Sequence, residues 1–204
     1  MSPDHSLDDE SVDTRRDADA AIITTALPLR VAVIGAECTG KTTLCRKLAA
    51  DFGGAWVPEA LREFVDLRGR PPVASEQAWL LEEQLRRERT AHAAAANDSQ
   101  PLVIFDSAPL VTALCSRMYF GDDTLLAAAT EHHRSYDLML VTDIDLPWQA
   151  DGIQRDGPAV RERFHTMLIA WLGAVRLPFR WVRGIGGPRS AGAAAQISAK
   201  LAVR

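Results

Sequence analysis

Hydrophobic residues in this chain fall into short unbroken runs separated by longer stretches of helical period. Residues 29–34, 55–57, 102–106, 138–142 and 179–182 are apolar runs of strand length, each followed within three residues by glycine, proline or aspartate. Between them the spacing changes to that of helices. Residues 43–50 place Leu44, Leu48 and Cys45 on one side, and residues 59–67 carry Leu61, Phe64 and Val65 at helical intervals. A long helix is predicted from Ser75 to about Ala96, and its Glu82/Glu83–Arg86/Arg87 pairs at i, i+4 read as a solvated face. Further helices are predicted over residues 109–120, 122–133, 158–175 and 189–203. Strands alternating with helices predict a parallel sheet covered on both faces, and no internal repeat is visible.

Residues 1–26 break the pattern. They are polar and acidic (Asp4, Asp8, Asp9, Glu10, Asp13, Asp17, Asp19) and lack a hydrophobic period until Ile22. They predict a disordered acidic leader ahead of one folded domain over residues 27–204, with a regulatory tail as the alternative. Composition alters this picture little. The chain of 204 residues is 47% hydrophobic and 25% charged, ordinary values for one globular domain. A net charge of −4 gives no reason to expect nucleic acid as a partner. The three cysteines, Cys38, Cys45 and Cys115, have neither metal-like nor disulfide-like spacing and suit a reducing cytosol, so a cytoplasmic location is expected. No apolar run approaches a membrane span, and an acidic N-terminus is neither a signal nor a transit peptide. His132 and His133 are adjacent, cannot share a helix face and do not read as a metal pair; His92 and His165 are lone helix residues, and no histidine reads as a catalytic group.

The chemistry is concentrated where the first strand meets the first helix. Gly35-Ala36-Glu37-Cys38-Thr39-Gly40-Lys41-Thr42 matches the phosphate-binding loop G-x-x-x-x-G-K-[ST] at every fixed position. A triphosphate must be held by many backbone N–H groups at once. The loop therefore has to curl tightly with Cβ atoms out of the way, and Gly35 and Gly40 permit that path. The amides form an anion nest, the following helix adds its positive end, and Glu37, Cys38, Thr39 and Thr43 complete the cradle for ATP. Lys41 is expected to reach the β- and γ-phosphates and Thr42 to place its hydroxyl on Mg²⁺. Residues 102–106 form an apolar run ending in Asp106, the shape of a Walker B strand whose carboxylate emerges beside the loop. Residues 143–157, after the fourth strand, are dense in carboxylates and contain Trp148 and Arg155. Such a segment at a strand's carboxyl end lies in the ligand crevice of an open α/β sheet; the plainer reading is a polar loop.

Taken together, these motifs resemble the NadR-like family of P-loop ATPase and kinase domains, which includes a ribosylnicotinamide kinase of NAD salvage. The resemblance is carried by the loop with its Glu37, by Trp56…Glu59…Arg62-Glu63-Phe64-Val65, by Phe105-Asp106-Ser107, and by the run from Asp143-Ile144-Asp145 through Pro147-Trp148 to Asp151-Gly152, with Arg161 beyond. It spans residues 30–201. It implies a three-layer α/β/α P-loop NTPase fold of nucleoside-kinase type, with a five-stranded parallel sheet in the order 2-3-1-4-5. It also implies that Asp106 acts on Mg²⁺ or on the substrate hydroxyl and that Trp56, Glu59 and Arg62 lie by the acceptor pocket. Asp143, Asp145, Trp148 and Asp151 would shape the mouth of the site, and Arg155 and Arg161 would be lid arginines over the transferring phosphate. The chain departs from the family pattern at Ser107-Ala108-Pro109, where the kinase tends to carry a Thr-Asp pair, and at Trp56-Val57-Pro58-Glu59.

The functional expectation is a small-molecule kinase that uses ATP and Mg²⁺ and a nucleoside-type acceptor, with nicotinamide riboside as the first candidate and no nucleic acid or membrane involved. Two alternatives are a regulatory ATPase or nucleotide switch without an acceptor, and a plain adenylate- or shikimate-type kinase.

Overall fold

The computed structural model describes residues 27–150 and 156–204. The acidic leader, Asp151 and Arg155 lie outside them.

Five strands form one parallel sheet in the order β2-β3-β1-β4-β5, as the resemblance implies. β1 (Leu29–Ile34), β2 (Ala55–Val57), β3 (Leu102–Asp106) and β4 (Leu138–Thr142) occupy the runs read from the sequence, and β5 is Arg180–Val182. Central strands buried on both faces read as continuous apolar runs, which is why they are easy to find. Successive side chains of β1 alternate between two cores. Val31 and Val33 pack with Leu44, Cys45 and Leu48 of α1 (Lys41–Phe52) and Ile197 of α7 (Gly186–Leu201). Ala32 and Ile34 face the other core. There α3 (Gln77–Asn97), α4 (Pro109–Phe120), α5 (Leu126–His133) and α6 (Pro158–Ala174) contribute Leu81, Leu114, Ala129 and Leu168. α2 (Ala60–Arg68) stands apart; its Phe64 and Val65 meet Leu80 of α3 in a small third cluster.

Several helix starts differ from the sequence reading. α5 begins at Leu126 rather than Asp122, because the Asp122 carboxylate turns back to accept the Thr124 N–H at 2.9 Å and holds those residues in a turn. α7 begins at Gly186 rather than Arg189 and takes the glycine turn into its first turn. Pro188 is tolerated there because its missing N–H is one the helix cannot use. Ser75 lies in a 3₁₀ turn, Ala74–Glu76, closed by the Glu76 carboxylate on the Val73 N–H at 2.9 Å, and α3 follows at Gln77.

Candidate active site

β1 delivers the chain into the phosphate loop at the carboxyl edge of the sheet. Gly35 passes so close to the end of β4 that a Cβ there would lie 2.1 Å from the Thr142 hydroxyl. The buried Thr39 hydroxyl bonds to the Ala36 carbonyl at 2.8 Å and to that same Thr142 hydroxyl at 2.7 Å, which pins the far side of the loop. Gly40, with φ of 73°, closes the loop in the left-handed region, and no side chain caps the helix that starts behind it. The first N–H groups of α1 are thus left for an anion, with the helix's positive end behind them. The Lys41 ammonium folds over the loop and donates to the Gly35 carbonyl at 3.0 Å and the Ala36 carbonyl at 2.8 Å. Thr43 follows in the first turn of α1, at the edge of this cradle.

Beside the loop lies a cavity of about 240 Å³ whose walls include Thr42, Trp56, Glu59, Arg62 and Asp106. Five residues singled out in the sequence, from three separate stretches, therefore share one space. Asp106 ends β3 only 1% exposed, and its Oδ1 is buried without a protein partner. Ser107, next in the chain, has φ of 70° and donates its N–H to the Val33 carbonyl at 2.9 Å, so it stitches β3 to β1 at this edge. A non-glycine residue in that region is strained, and such strain gathers at functional sites. Burial pushes the Glu59 carboxyl above its ordinary value, and the nearby Asp106 adds to this; Lys41, Arg62 and the Ser107 hydroxyl pull the other way.

Among the described residues no group of three or more His, Cys, Asp and Glu forms a metal cluster. Mg²⁺ on a nucleotide does not need one, since it keeps several waters and takes phosphate oxygens with one or two protein groups. Thr42 and Asp106, which line the same cavity, fit that requirement, and Asp106 has one carboxylate oxygen with no protein partner.

The aspartate-rich segment after β4 folds back onto the loop. Trp148 donates from Nε1 to the Glu37 carboxylate at 2.9 Å, and the Cys38 thiol donates to the Gln149 carbonyl at 3.0 Å. Arg161, 6% exposed on α6, donates from Nη2 to the carbonyls of Ile144 and Leu146, so its guanidinium holds this segment from beneath. Asp143 accepts from Arg183 and from the Ile144 N–H, both at 2.8 Å. Against its partial burial, which acts the other way, these donors hold its carboxyl below the ordinary value. Asp145 accepts from the Gly184 N–H and from Arg189. These two aspartates tie the loops after β4 and β5 together, on the side of the phosphate loop away from Trp56 and Glu59.

Two residues escaped the sequence reading. Arg46 lies one turn beyond Thr42 on α1, lines the cavity, and stacks 4.5 Å over the Trp56 ring. Its i+4 spacing from Thr42 was a usable signal. Arg189, 5% exposed, bonds at once to Asp145, the Gly184 carbonyl and the Thr39 carbonyl of the phosphate loop. Two of these three partners are far off in sequence, and nothing local marks it.

A profile of the AAA domain family matches residues 30–187. The chain belongs to this family. Its sequence is also similar to two NadR proteins. It is 25% identical over 158 residues to the trifunctional NAD biosynthesis/regulator protein NadR of Salmonella typhimurium, a match covering 75% of this chain and 38% of that protein. The Escherichia coli NadR is 25% identical over 154 residues, covering 73% of this chain and 37% of that one. The chain thus spans well under half the length of the curated relatives it matches. Among solved structures, a NadR protein in complex with NR superposes with a TM-score of 0.68 at 21% identity, covering 88% of this chain and 53% of that one. A deoxyadenosine kinase from M. mycoides superposes at 0.55 with 11% identity, covering 86% of this chain and all of that one. At such identities the likeness is one of fold.

Proposed function

We propose that this domain is a small-molecule kinase that moves the γ-phosphoryl group of ATP to a hydroxyl of a nucleoside-type acceptor, nicotinamide riboside being the first candidate. The observation that carries this reading is the shared cavity. It brings Thr42 and Asp106, on the nucleotide side, into one space of about 240 Å³ with Trp56, Glu59 and Arg62. A loop built only to bind and hydrolyse ATP has no need of such a chamber.

Phosphoryl transfer asks the protein for in-line positioning and for cancellation of charge on the transferred group. The phosphate-loop amides and the Lys41 ammonium supply fixed positive character along the triphosphate. Thr42 and Asp106 would hold Mg²⁺, which would supply further positive charge at the phosphates. Asp106 or Glu59 orients the acceptor hydroxyl; the O–P bond to the acceptor forms as the bond to ADP breaks, and the hydroxyl proton passes to a carboxylate and on to water. Burial raises the Glu59 carboxyl above its ordinary value, so it takes up a proton more readily than a solvated glutamate does. Trp56 offers an aromatic face for a base or ring. Asp143, Asp145 and Trp148 shape the loops over the nucleotide, and Arg161 supports them. Asp151 and Arg155 are retained as proposed contacts from the resemblance alone.

The AAA description of the family favours a second reading, a regulatory ATPase that hydrolyses ATP without an acceptor. One experiment separates the two. The chain is incubated with Mg-ATP and a panel of nucleosides including nicotinamide riboside, and ADP and phosphorylated product are followed together. Acceptor-dependent ADP release with a matching nucleotide product supports the kinase; ADP release indifferent to every acceptor sinks it in favour of the ATPase.

A further inference from the structure

The acceptor side of the cavity is mounted on a weakly held element. α2 and the residue before it bring Glu59, Arg62, Glu63 and Asp66 to the cavity wall. Its apolar attachment is the small cluster of Phe64, Val65 and Leu80, with Leu61 packed against it, separate from the two main cores. A helix that must hold a substrate group to within a fraction of an ångström needs a further tether.

Two polar links to α3 supply it: an ion pair from Arg87 to Glu63 at the exposed edge, and one buried amide at the start of the helix. The N–H of Ala60, the first residue of α2, donates to Gln84 Oε1 on α3 at 2.9 Å. Glu59 offers no side-chain cap, and Ala60 is buried, so without Gln84 this N–H would be an orphan donor away from water. The other end of the same amide, Nε2, points at Glu88 Oε1 at 3.5 Å. Glu88 is completely buried and is itself held by the Tyr136 hydroxyl at 2.8 Å, by His132 Nε2 at 2.8 Å and by the Arg30 guanidinium at 3.5 Å. A backbone N–H only donates and a carboxylate only accepts, so the orientation of the Gln84 amide is fixed by its neighbours. Glutamate would lack the donor, and methionine would lack both groups.

The bond acts on one peptide plane. The Glu59–Ala60 peptide sets the ψ of Glu59, 124°, just before the chain turns into the helix. Holding its N–H holds the direction in which the Glu59 side chain leaves the backbone. We propose that Gln84 is a positioning residue for the phosphate acceptor, coupling the rigid Glu88 anchor on α3 to the Glu59–Ala60 peptide and thereby setting Glu59 and the entry of α2 over the cavity. The inference rests on the kinase reading of that cavity.

The test compares the wild-type chain with Gln84→Met, close in size but without hydrogen-bonding groups, and with Leu172→Ala. The latter removes core side chain from α6 without touching α2. Steady-state kinetics give KM and kcat for the acceptor, calorimetry gives the Kd for a non-hydrolysable ATP analogue, and NMR hydrogen exchange reads the Ala60 amide. For Gln84→Met the acceptor KM is expected to rise about tenfold, the worth of one well-placed hydrogen bond. The analogue's Kd should stay within about twofold, and the Ala60 amide should exchange at least tenfold faster while the β1 amides keep their protection. Leu172→Ala should leave the acceptor KM and the Ala60 amide unchanged. An acceptor KM for Gln84→Met within twofold of wild type, or an Ala60 amide as protected as before, overturns the proposal. Should the wild-type chain phosphorylate no acceptor, the kinase reading falls, and the Ala60 exchange alone then decides whether Gln84 positions this peptide.

Discussion

Asp106 and Lys41 illustrate opposite ways in which a single residue can be prepared for a ligand. The carboxylate ends β3 buried with one oxygen unpartnered, a costly state that a cation or an incoming hydroxyl relieves. The ammonium is parked on the carbonyls of Gly35 and Ala36, from which a phosphate can draw it away. Replacing Lys41 by alanine removes the charge nearest the transferring group. Turnover, followed as ADP release, is expected to fall by about 10²–10³-fold with the circular dichroism spectrum unchanged. A second residue bears on stability rather than on chemistry. His133 is buried on α5 with neither ring nitrogen hydrogen-bonded, and burial lowers its pKa from 6.5 to about 4. The folded state thus binds a proton less readily than the unfolded chain, so stability must fall as pH drops from 6.5 toward 4. The full loss is on the order of 3 kcal/mol. Urea titrations at several pH values should show this slope in the wild type and a flatter one in His133→Phe; equal slopes would mean the ring is hydrated in the folded state.

At the scale of elements, the loops after β4 and β5 and the phosphate loop are locked by Arg189, which bonds to one group on each. Arg189→Met would strand the Thr39 and Gly184 carbonyls and leave Asp145 without its cation. The expected cost is about 2–4 kcal/mol, read as a lower urea midpoint, together with weaker ATP-analogue binding. Asp145→Ala should cost less, because Arg189 keeps its two carbonyls. This lock also marks where sequence reading stops. The buried strands, the phosphate loop and Asp106 were legible, because continuous apolar runs and a fixed glycine spacing are local signals. Asp143, Asp145 and Arg161 were legible only as residue types. That the first two meet Arg183 and Arg189, and that the third holds the carbonyls of Ile144 and Leu146, follows from contacts 15 to 44 residues apart. The starts of α5 and α7 were missed for the same kind of reason, a side-chain turn at Asp122 and a glycine run absorbed into a helix.

Over the whole molecule, the phosphate loop is anchored in every direction that matters for global unfolding. Thr39 ties it to Thr142 of β4, Arg189 ties it to α7, and Ser107 joins β3 to β1 alongside it. A ligand seated there cannot stay bound while the central sheet opens, so binding energy must appear as global stability. At about 100 times its Kd, an ATP analogue with Mg²⁺ is expected to add about 2.7 kcal/mol. For a domain of this size that corresponds to a rise in Tm of about 5–10 °C. Chelating the metal should remove much of the shift if Thr42 and Asp106 hold it, and Lys41→Ala should shrink it further. The acceptor alone should shift Tm little, since α2 shares only a small cluster with the rest of the core. Added to the nucleotide complex, it should give more than the sum of the two separate shifts if the acceptor wall closes on a loaded phosphate loop. A thermal-shift series with analogue, acceptor, both, and both with chelator reads all four terms. Strict additivity would mean that the two sides of the cavity bind independently, and no shift with Mg-analogue would remove the phosphate loop from the account.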